Sequence, residues 1–248
     1  MENTRKPQFA DPVARVAAYL REYLFPGAHV VLAARTEAEI EAAAAEIRAD
    51  GGAASTLVLD VTDAAAVRAA IEAEAPFDVL VNNAGTNRPR TFLDVTEDDY
   101  DVIAGLNQRA AFFTAQAVAR KMAAAGIKGS IIHMSSQMGH VGGQRRTVYC
   151  MTKHGIEGLT KAMAIDLAQY GIRVNSLCPG ITRTPLLQAE VDNSIDPAKT
   201  AAAQASWAPI RRVADPREIA QGALFLARDA SSFAVGSCLV LDGGYTAF

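Results

Sequence analysis

Tyr149 and Lys153 have the spacing that most directly suggests chemistry, because residues four apart on a helix share one face. A tyrosine in water has a pKa of about 10, too high for proton transfer near neutral pH. A lysine ammonium one turn away favours the phenolate, so we expect it to lower the pKa of Tyr149. Ser136 ends the preceding apolar segment and could hydrogen-bond a substrate oxygen. These residues predict a proton-transfer device for an alcohol/carbonyl couple.

Short apolar segments alternate along the chain with alanine-rich segments of helical periodicity. The apolar segments predict strands at 29–34, 55–60, 77–83, 129–135, 172–177 and 237–242. The segments between them predict helices at 37–49, 63–73, 97–124, 148–169 and 215–228. Continuous apolar character is typical of strands buried on both faces of a parallel sheet. The alternation therefore predicts an α/β fold with a doubly wound parallel sheet, whose ligands bind at the carboxyl ends of the strands.

The bulk composition indicates a single domain over residues 1–248 with a full hydrophobic core, because half of the residues are hydrophobic and 21% are charged. The formal net charge of −3 gives no basic face for nucleic acid. No apolar run approaches the roughly 18 residues that span a membrane. The polar start "MENTRKPQ" is not typical of a secretory signal. We therefore expect a cytoplasmic protein with a small-molecule substrate and neither a nucleic-acid nor a membrane partner.

The cysteines and histidines give no local signal for a metal site. Cys150, Cys178 and Cys238 are far apart and odd in number, which argues against a disulfide framework or a zinc cluster and fits a reducing cytosol. We expect them to be buried as small hydrophobic residues. His133 and His140 have no carboxylate or cysteine at ligand spacing, so we expect structural roles for both and no bound metal.

Five further motifs occur in order around the Ser-Tyr-Lys segment "MSSQMGHVGGQRRTVYCMTKHG". They are "LDVTD" (59–63), "VNNAG" (81–85), "LNQRAAFF" (106–113), "NSLCPGITRTPLL" (175–187) and "VLDGGYTAF" (240–248). With these motifs, residues 27–248 resemble the short-chain dehydrogenase/reductase family. The resemblance implies a Rossmann-like, three-layered fold and hydride transfer between a nicotinamide and an alcohol or carbonyl carbon. It also implies a catalytic tetrad of Asn107, Ser136, Tyr149 and Lys153.

The resemblance implies a cofactor site built from residues that follow the strands. The implied contacts are Asp60, Val61, Asn83, Ala84, Gly85, Tyr149, Lys153, Pro179, Gly180, Thr182 and Thr184. Cofactor preference depends on the residue after the second strand of such a unit, where an acidic side chain binds a ribose hydroxyl and an arginine accommodates a 2′-phosphate. Here that strand ends in Ala34 followed by Arg35. This favours NADP(H) over NAD(H).

The loop between Ser136 and Tyr149 lines the substrate pocket in the resembled family. Its polar residues include Gln137, Gln144, Arg145 and Arg146, which suit a polyol, sugar or hydroxy acid. A 3-oxoacyl thioester is an alternative substrate. Solvent-facing or subunit-facing arginines are the alternative interpretation of Arg145 and Arg146. Residues 186–212 interrupt the strand–helix alternation and predict a helical lid over the strand ends.

The N-terminal segment departs from the family pattern. Ala10, Ala14 and Val16 occupy the three positions where the family has the glycines of its phosphate loop, and "TRKPQF" is not a buried strand. Asp11 and Pro12 instead predict a helix capped by a carboxylate, which would repel a phosphate. The first strand and the phosphate loop are therefore predicted to be degenerate.

Two interpretations remain open for this segment. The chain is either an active oxidoreductase with a divergent, rearranged or wrongly translated N-terminus, or a degenerate member that binds cofactor weakly and acts as a binding or scaffold protein. An oligomeric structural protein is a third possibility. The family commonly forms homotetramers through its long helices, so we expect a homo-oligomer, either a tetramer or a dimer.

Overall fold

The computed structural model of the protein describes residues 28–247. The predictions for residues 1–26, including the degenerate strand and the helix capped by Asp11, fall outside this range. The strands are β1 (His29–Ala34), β2 (Ala53–Val58), β3 (Val79–Asn82), β4 (Ser130–Met134), β5 (Arg173–Pro179) and β6 (Cys238–Leu241). The helices are α1 (Glu37–Ala49), α2 (Ala64–Ala73), α3 (Glu97–Ala104), α4 (Ala111–Ala124), α5 (Thr147–Leu167), α6 (Pro185–Asp192), α7 (Pro197–Ala205) and α8 (Pro216–Ala227).

The helices begin where side chains satisfy the free N–H groups of the first turn. At the start of α2, the side chain of Asp63 accepts hydrogen bonds from the backbone N–H groups of Ala65 and Ala66. Thr96 and Asp99 form a capping box at the start of α3, and Asp215 and Glu218 form another at the start of α8. The local sequence therefore sets the residue at which each of these helices begins.

Within residues 28–247 all of the strand pairs are parallel, and the strands form two sheets. One sheet pairs β1 with β2, in the register His29 opposite Ala53. The other has the order β3-β4-β5-β6, so that residues of neighbouring strands from the middle of the chain lie side by side. Parallel pairing with intervening helices confirms the predicted doubly wound α/β class.

Residues of β1 and of β3 line one cavity of about 870 Å³. Leu32 of β1 and Leu80 of β3 are among its lining residues.

Helices cover both faces of the four-stranded sheet. On one face Ile131 and Val174 pack with Val67, Val118 and other side chains of α2, α4 and α5. On the other face the next residue of β4, Ile132, packs with Ile219 and Ala223 of α8. Alternate residues of one strand thus enter opposite cores, which confirms the predicted three-layer arrangement. Helix α1 forms a separate core with β1 through Leu32 and Ile40.

Most of the observed element boundaries differ from the sequence prediction by one or two residues, and two differences have a structural explanation. The second strand begins at Ala53 rather than at 55, because its pairing with β1 extends to His29. The helix predicted over 97–124 is interrupted by a π-helical segment, Gly105–Ala110. The predicted lid, 186–212, contains α6 and α7, and its base is closed by a parallel bridge between Thr182 and Ala214. Its role as a lid stays a prediction.

No helix between residues 28 and 247 is both long and apolar enough to cross a membrane. The long helices do expose apolar side chains: Phe112 on α4 and Met151 and Ile165 on α5 are all exposed. Such side chains are compatible with the predicted homo-oligomer, which stays a prediction.

His133 on β4 gives the fold a testable dependence on pH. It is fully buried, and burial followed by the charge of Lys153 lowers its pKa from 6.5 to about 4. The unfolded chain therefore takes up a proton below pH 6.5, whereas the folded chain does so only below about pH 4. Stability is lost as pH falls through this window, by about 3 kcal/mol in full.

We expect His133→Asn to flatten the loss of stability between pH 7 and about pH 4.5, although it lowers stability at pH 7 by leaving a void. Urea unfolding at the two pH values measures the difference. His154→Asn, at an exposed position, is the control and should keep the slope of the unaltered chain. Equal slopes for His133→Asn and the unaltered chain would contradict the assignment.

Candidate active site at the carboxyl ends of the strands

The predicted site residues lie on the loops that leave the carboxyl ends of the strands. Arg35 follows β1, Asp60 follows β2, and Gly85 follows β3. Ser136 follows β4, and Gly180 follows β5. Because the strands are parallel, these loops share one edge of the molecule, where ligands of open α/β sheets bind.

Ser136 lies beside Tyr149 at the centre of this edge, close enough for its hydroxyl to act on the pKa of the phenol. Ser136 is buried and begins a short 3₁₀ turn, Gln137–Gly139, where its Oγ accepts from the N–H of Met138 at 3.1 Å. Burial raises the pKa of Tyr149, while the Ser136 hydroxyl and the charge of Arg146 lower it by less. Tyr149 is therefore a protonated phenol near neutral pH.

Lys153 lies one turn along α5 from Tyr149, as the spacing predicted. Its Nζ is 5.6 Å from the centre of the Tyr149 ring and donates to the carbonyl oxygen of Met134 at 2.7 Å. Burial lowers the pKa of Lys153 to about 8, against the opposing charges of Cys178 and Glu157. The expectation that Lys153 lowers the tyrosine pKa is wrong for this structure, because desolvation of the phenolate outweighs the charges around it.

Asn107 lies in the π-helical segment between α3 and α4, and π-bulges often occur at functional sites. Its Oδ1 accepts from the N–H of Thr86 at 2.7 Å, and its Nδ2 donates to the carbonyl of Thr86 at 2.9 Å. Nδ2 also donates to Thr152 Oγ1 on α5 at 3.2 Å. Asn107 therefore ties the loop after β3 to the helix that carries Tyr149 and Lys153.

Gly85 shows how closely these groups pack. A Cβ at this position would lie 3.3 Å from Asn107 Oδ1 and 3.7 Å from Lys153 Nζ. Gly180 is more restricted still, because a Cβ there would lie 2.6 Å from the backbone of Asp242 and 2.8 Å from Gln137 Oε1. The buried Gln137 Oε1 has no hydrogen-bond partner among the described residues. Gln137 was predicted to contact substrate, and it faces the turn that was predicted to contact cofactor.

The predicted cofactor residues after β1 and β2 also lie near each other. Two hydrogen bonds from Thr62 lower the pKa of Asp60, and the charge of Arg35 lowers it further by a smaller amount. Val61 packs against the core beneath α2 and α4. Asn83 and Ala84 line the same cavity as the residues of β1 and β3. On the opposite side of the edge, Thr184 caps helix α6 and accepts from the N–H of Leu187 at 3.2 Å.

A group of arginines lines the same surface as Tyr149. Arg145, which has a backbone φ of 59°, and Arg146 line this surface together with Arg88 and Arg90. Arg88 is paired with Asp98 and Asp99, and Arg90 is paired with Asp99. Among the described residues, no carboxylate lies within 4 Å of Arg145 or Arg146. The remaining two positive charges beside Tyr149 would attract an anion.

Sequence reasoning missed two features of this region. Arg88 and Arg90 follow the "VNNAG" motif directly, and their position after a strand end was the available signal. The second feature is a cluster of His140, Cys178 and Cys238 with Glu157, whose ligand atoms all lie within 4.8 Å of one another. Their sequence separation gave no signal for it. Of the three cysteines only Cys178 is buried, whereas Cys150 is half-buried and Cys238 is exposed, which corrects the expectation that all are buried.

Comparison with known proteins assigns the chain to a family. A family model described as "Enoyl-(Acyl carrier protein) reductase" matches residues 15–246. A solved short-chain type dehydrogenase/reductase from Mycobacterium marinum is 35% identical, with a TM-score of 0.83 over 94% of this chain and 90% of that chain. The chain belongs to the short-chain dehydrogenase/reductase family.

Two further members are informative about chemistry. The 2-keto-3-deoxy-L-fuconate dehydrogenase of Xanthomonas campestris is 40% identical over 227 residues, which are 89% of this chain and 72% of that protein. A gluconate 5-dehydrogenase from Burkholderia cenocepacia, solved in complex with NADP and tartrate, is 35% identical with a TM-score of 0.87. That match covers 96% of this chain and 94% of the other.

Membership in the short-chain dehydrogenase/reductase family confirms the resemblance noted from the motifs. It makes the chain an oxidoreductase that acts on an alcohol/carbonyl couple. The individual roles of Asn107, Ser136, Tyr149 and Lys153, and of the residues around them, stay predictions. The geometry brings these four side chains to one site, where roles in proton transfer are possible.

Proposed function

We propose that this short-chain dehydrogenase/reductase interconverts the alcohol and the carbonyl of a sugar acid or hydroxy acid, with a nicotinamide cofactor and with NADP(H) preferred. The observation that carries the proposal is the placement of Ser136 beside Tyr149 at the strand edge, with the Nζ of buried Lys153 5.6 Å from the centre of the tyrosine ring. These groups supply a proton donor, a second hydrogen-bonding hydroxyl for the substrate oxygen, and a cation in one place.

The residues present fit a nicotinamide nucleotide. Lys153 has three N–H donors, of which the structure assigns one to Met134, so two remain for hydroxyl groups of a ligand. The unpartnered Oε1 of Gln137 is an acceptor at the turn of Gly180. Asp60 and Arg35 would hold the other end of the nucleotide. When it is bound, the cofactor would supply or accept the hydride.

The protein's own part of the reaction is the handling of one proton. Because burial raises the pKa of Tyr149, its hydroxyl keeps its proton at neutral pH and can donate it to a carbonyl oxygen in the reductive direction. Oxidation needs the phenolate, which takes the proton of the substrate hydroxyl. Oxidation is therefore favoured as pH rises toward the raised pKa of Tyr149, and reduction is favoured near neutral pH.

The arginines beside Tyr149 support an anionic substrate. Arg145 and Arg146 add positive charge close to the phenol, and Arg146 acts on Tyr149 through its charge. The buried Oδ1 of Asn87 on the same surface has no partner among the described residues, so it could accept from a substrate hydroxyl. A carboxylate and a row of hydroxyl groups match this set better than the acyl chain of a 3-oxoacyl thioester does. The names of the fuconate and gluconate relatives support the same class.

The sequence favours one alternative, a member of the family that binds cofactor weakly and serves as a binding protein, because Ala10, Ala14 and Val16 stand where the family has the glycines of its phosphate loop. Arg35 and Asp60 follow β1 and β2, whereas Tyr149 and Lys153 lie on α5 beside the four-stranded sheet. A cofactor must contact both groups at once. The alternative predicts intact proton-transfer geometry without measurable cofactor affinity.

Tyr149→Phe removes only the phenolic hydroxyl, so we expect turnover to fall at least about a thousandfold while cofactor binding is kept. Initial rates with NADP(H) measure turnover, and the shift in melting temperature with cofactor measures binding. Tyr170→Phe, at an exposed position, is the matched control and should keep full activity. A Tyr149→Phe variant with the activity of the control would overturn the mechanism.

Arg35 gives a test of cofactor preference that does not need a substrate. A ligand at 100 times its Kd adds about 2.7 kcal/mol of stability, so the tighter cofactor raises the melting temperature more at equal concentration. We expect a larger shift with NADPH than with NADH, and about tenfold weaker NADPH binding in Arg35→Ala with NADH unchanged. Arg68→Ala, an exposed arginine on α2, is the control. No shift with either cofactor would support the weakly binding alternative.

Arg145→Asn and Arg146→Gln test the substrate class. Asparagine tolerates the left-handed backbone of position 145, so the exchange removes charge without adding strain. We expect kcat/KM to fall about tenfold or more for a sugar acid, and less than about twofold for a neutral polyol. Arg120→Gln, exposed on α4, controls for loss of a positive charge elsewhere. An equal loss on both substrates would contradict an anion-binding role.

A further inference from the structure

Four side chains that could bind a metal meet behind the catalytic residues. His140 lies just after the 3₁₀ turn Gln137–Gly139, and Glu157 lies on α5 one turn beyond Lys153. Cys178 lies on β5, and Cys238 begins β6. Their ligand atoms, one from each residue, all lie within 4.8 Å of one another. The cluster therefore joins four separate elements of the fold at one point.

Three distances within the cluster match those around a tetrahedral zinc ion. Zinc bonds of about 2.0–2.3 Å to oxygen, nitrogen and sulfur place neighbouring ligand atoms about 3.3–3.8 Å apart. His140 Nε2 lies 3.4 Å from Cys178 Sγ and 3.5 Å from Cys238 Sγ, and Cys178 Sγ lies 3.3 Å from Glu157 Oε1. His140 Nε2 lies 4.0 Å from Glu157 Oε2, so this pair must approach more closely to share an ion.

The surroundings of Glu157 provide an independent reason for a cation. Glu157 is only 6% exposed, and within residues 28–247 no lysine or arginine nitrogen lies within 4.0 Å of its carboxylate. A buried carboxylate is costly unless a cation pairs with it closely, and the ammonium of Lys153 acts on Glu157 only from beyond ion-pair distance. Ser176 Oγ donates to Glu157 Oε2 at 2.8 Å, which is the kind of outer hydrogen bond that orients a metal ligand.

We propose that His140, Glu157, Cys178 and Cys238 form a structural Zn²⁺ site. Two thiolates, an imidazole and a carboxylate are a donor set that suits zinc rather than magnesium or calcium. Four protein ligands fill a tetrahedral shell, so the ion has no open position for a substrate. The ion has a structural role, because it fixes the loop after Ser136 and helix α5 to the ends of β5 and β6. It does not depend on the proposed function, because it needs neither cofactor nor substrate.

The first experiment measures metal in the full chain. We expect close to one zinc per chain after reduction, chelation and reloading with Zn²⁺ alone, followed by removal of free metal. Loading with Co²⁺ alone should give a thiolate-to-cobalt charge-transfer band and the visible bands of a tetrahedral site. Zn²⁺ should also raise the melting temperature of the metal-free protein, because it binds the folded chain.

Substitutions of three of the ligands are compared with a substitution of Cys150, the cysteine outside the cluster. Cys238→Ser and His140→Gln alter accessible ligands, so we expect both to fold and to bind Zn²⁺ at least about tenfold more weakly, with a reduced charge-transfer band. Cys150→Ser lies outside the cluster and should leave the band and the affinity unchanged. Cys178→Ser is a further variant at a buried position, and its folding is checked by circular dichroism.

Two results would overturn the proposal. One is a reduced, folded chain that retains no zinc and shows no cobalt charge-transfer band, which would leave the cluster as a hydrogen-bonded network. The other is a Cys178–Cys238 disulfide found by mass spectrometry, together with no metal binding after the disulfide is reduced. A charge-transfer band that persists unchanged in both Cys238→Ser and His140→Gln would equally place the metal elsewhere.

Discussion

The register of helix α5 against the sheet is the constraint on which the candidate active site depends. Lys153 Nζ reaches the carbonyl of Met134 at the end of β4, and Glu157 accepts from Ser176 on β5. Tyr149 shares the same face one turn earlier. Since one residue of helix corresponds to a rotation of about 100°, a change of register by a single residue would break both contacts and turn Tyr149 away from Ser136.

The same register buries Lys153 and Tyr149, and this burial shifts the pKa values of both side chains. A lysine buried deeply enough to have a pKa of about 8 remains mostly charged at neutral pH but is costly to hold in place. Its hydrogen bond to Met134 and the carboxylate of Glu157 on α5 offset part of that cost. Burial shifts the pKa of Tyr149 in the opposite direction: it raises this pKa, so the phenol keeps its proton. The arrangement therefore keeps the phenol of Tyr149 protonated near neutral pH.

The fold and the positions of most of the predicted site residues followed from the sequence because their signals are local. A strand is recognisable from its own apolar run, and Tyr149 and Lys153 share a face because of helical spacing alone. The π-helical segment at Asn107 was not predictable, since the helical periodicity of 97–124 continues through it. The cluster around Glu157 and Cys178 was not predictable either. Its members meet only through the pairing of β5 with β6 and the packing of α5.

The direction of the pKa shift of Tyr149 could not be predicted from the sequence, for a different reason. The sequence places Lys153 one turn from Tyr149 but contains no measure of how deeply either group is buried. Desolvation depends on every element that covers the site, and here it opposes and exceeds the effect of nearby positive charge. The direction of a pKa shift is thus a property of the packed structure, even where the interacting residues are adjacent in sequence.

The residues proposed for proton transfer and those proposed for cofactor selection lie beside different sheets. Ser136, Tyr149, Lys153 and Gly180 lie on helix α5 or just after β4 and β5. Arg35 and Asp60 follow β1 and β2 of the two-stranded sheet. A change in the arrangement of the two sheets would change the distance between these two groups before it changed either group internally. It would therefore weaken the proposed cofactor binding and preference first, while Ser136, Tyr149 and Lys153 kept their arrangement.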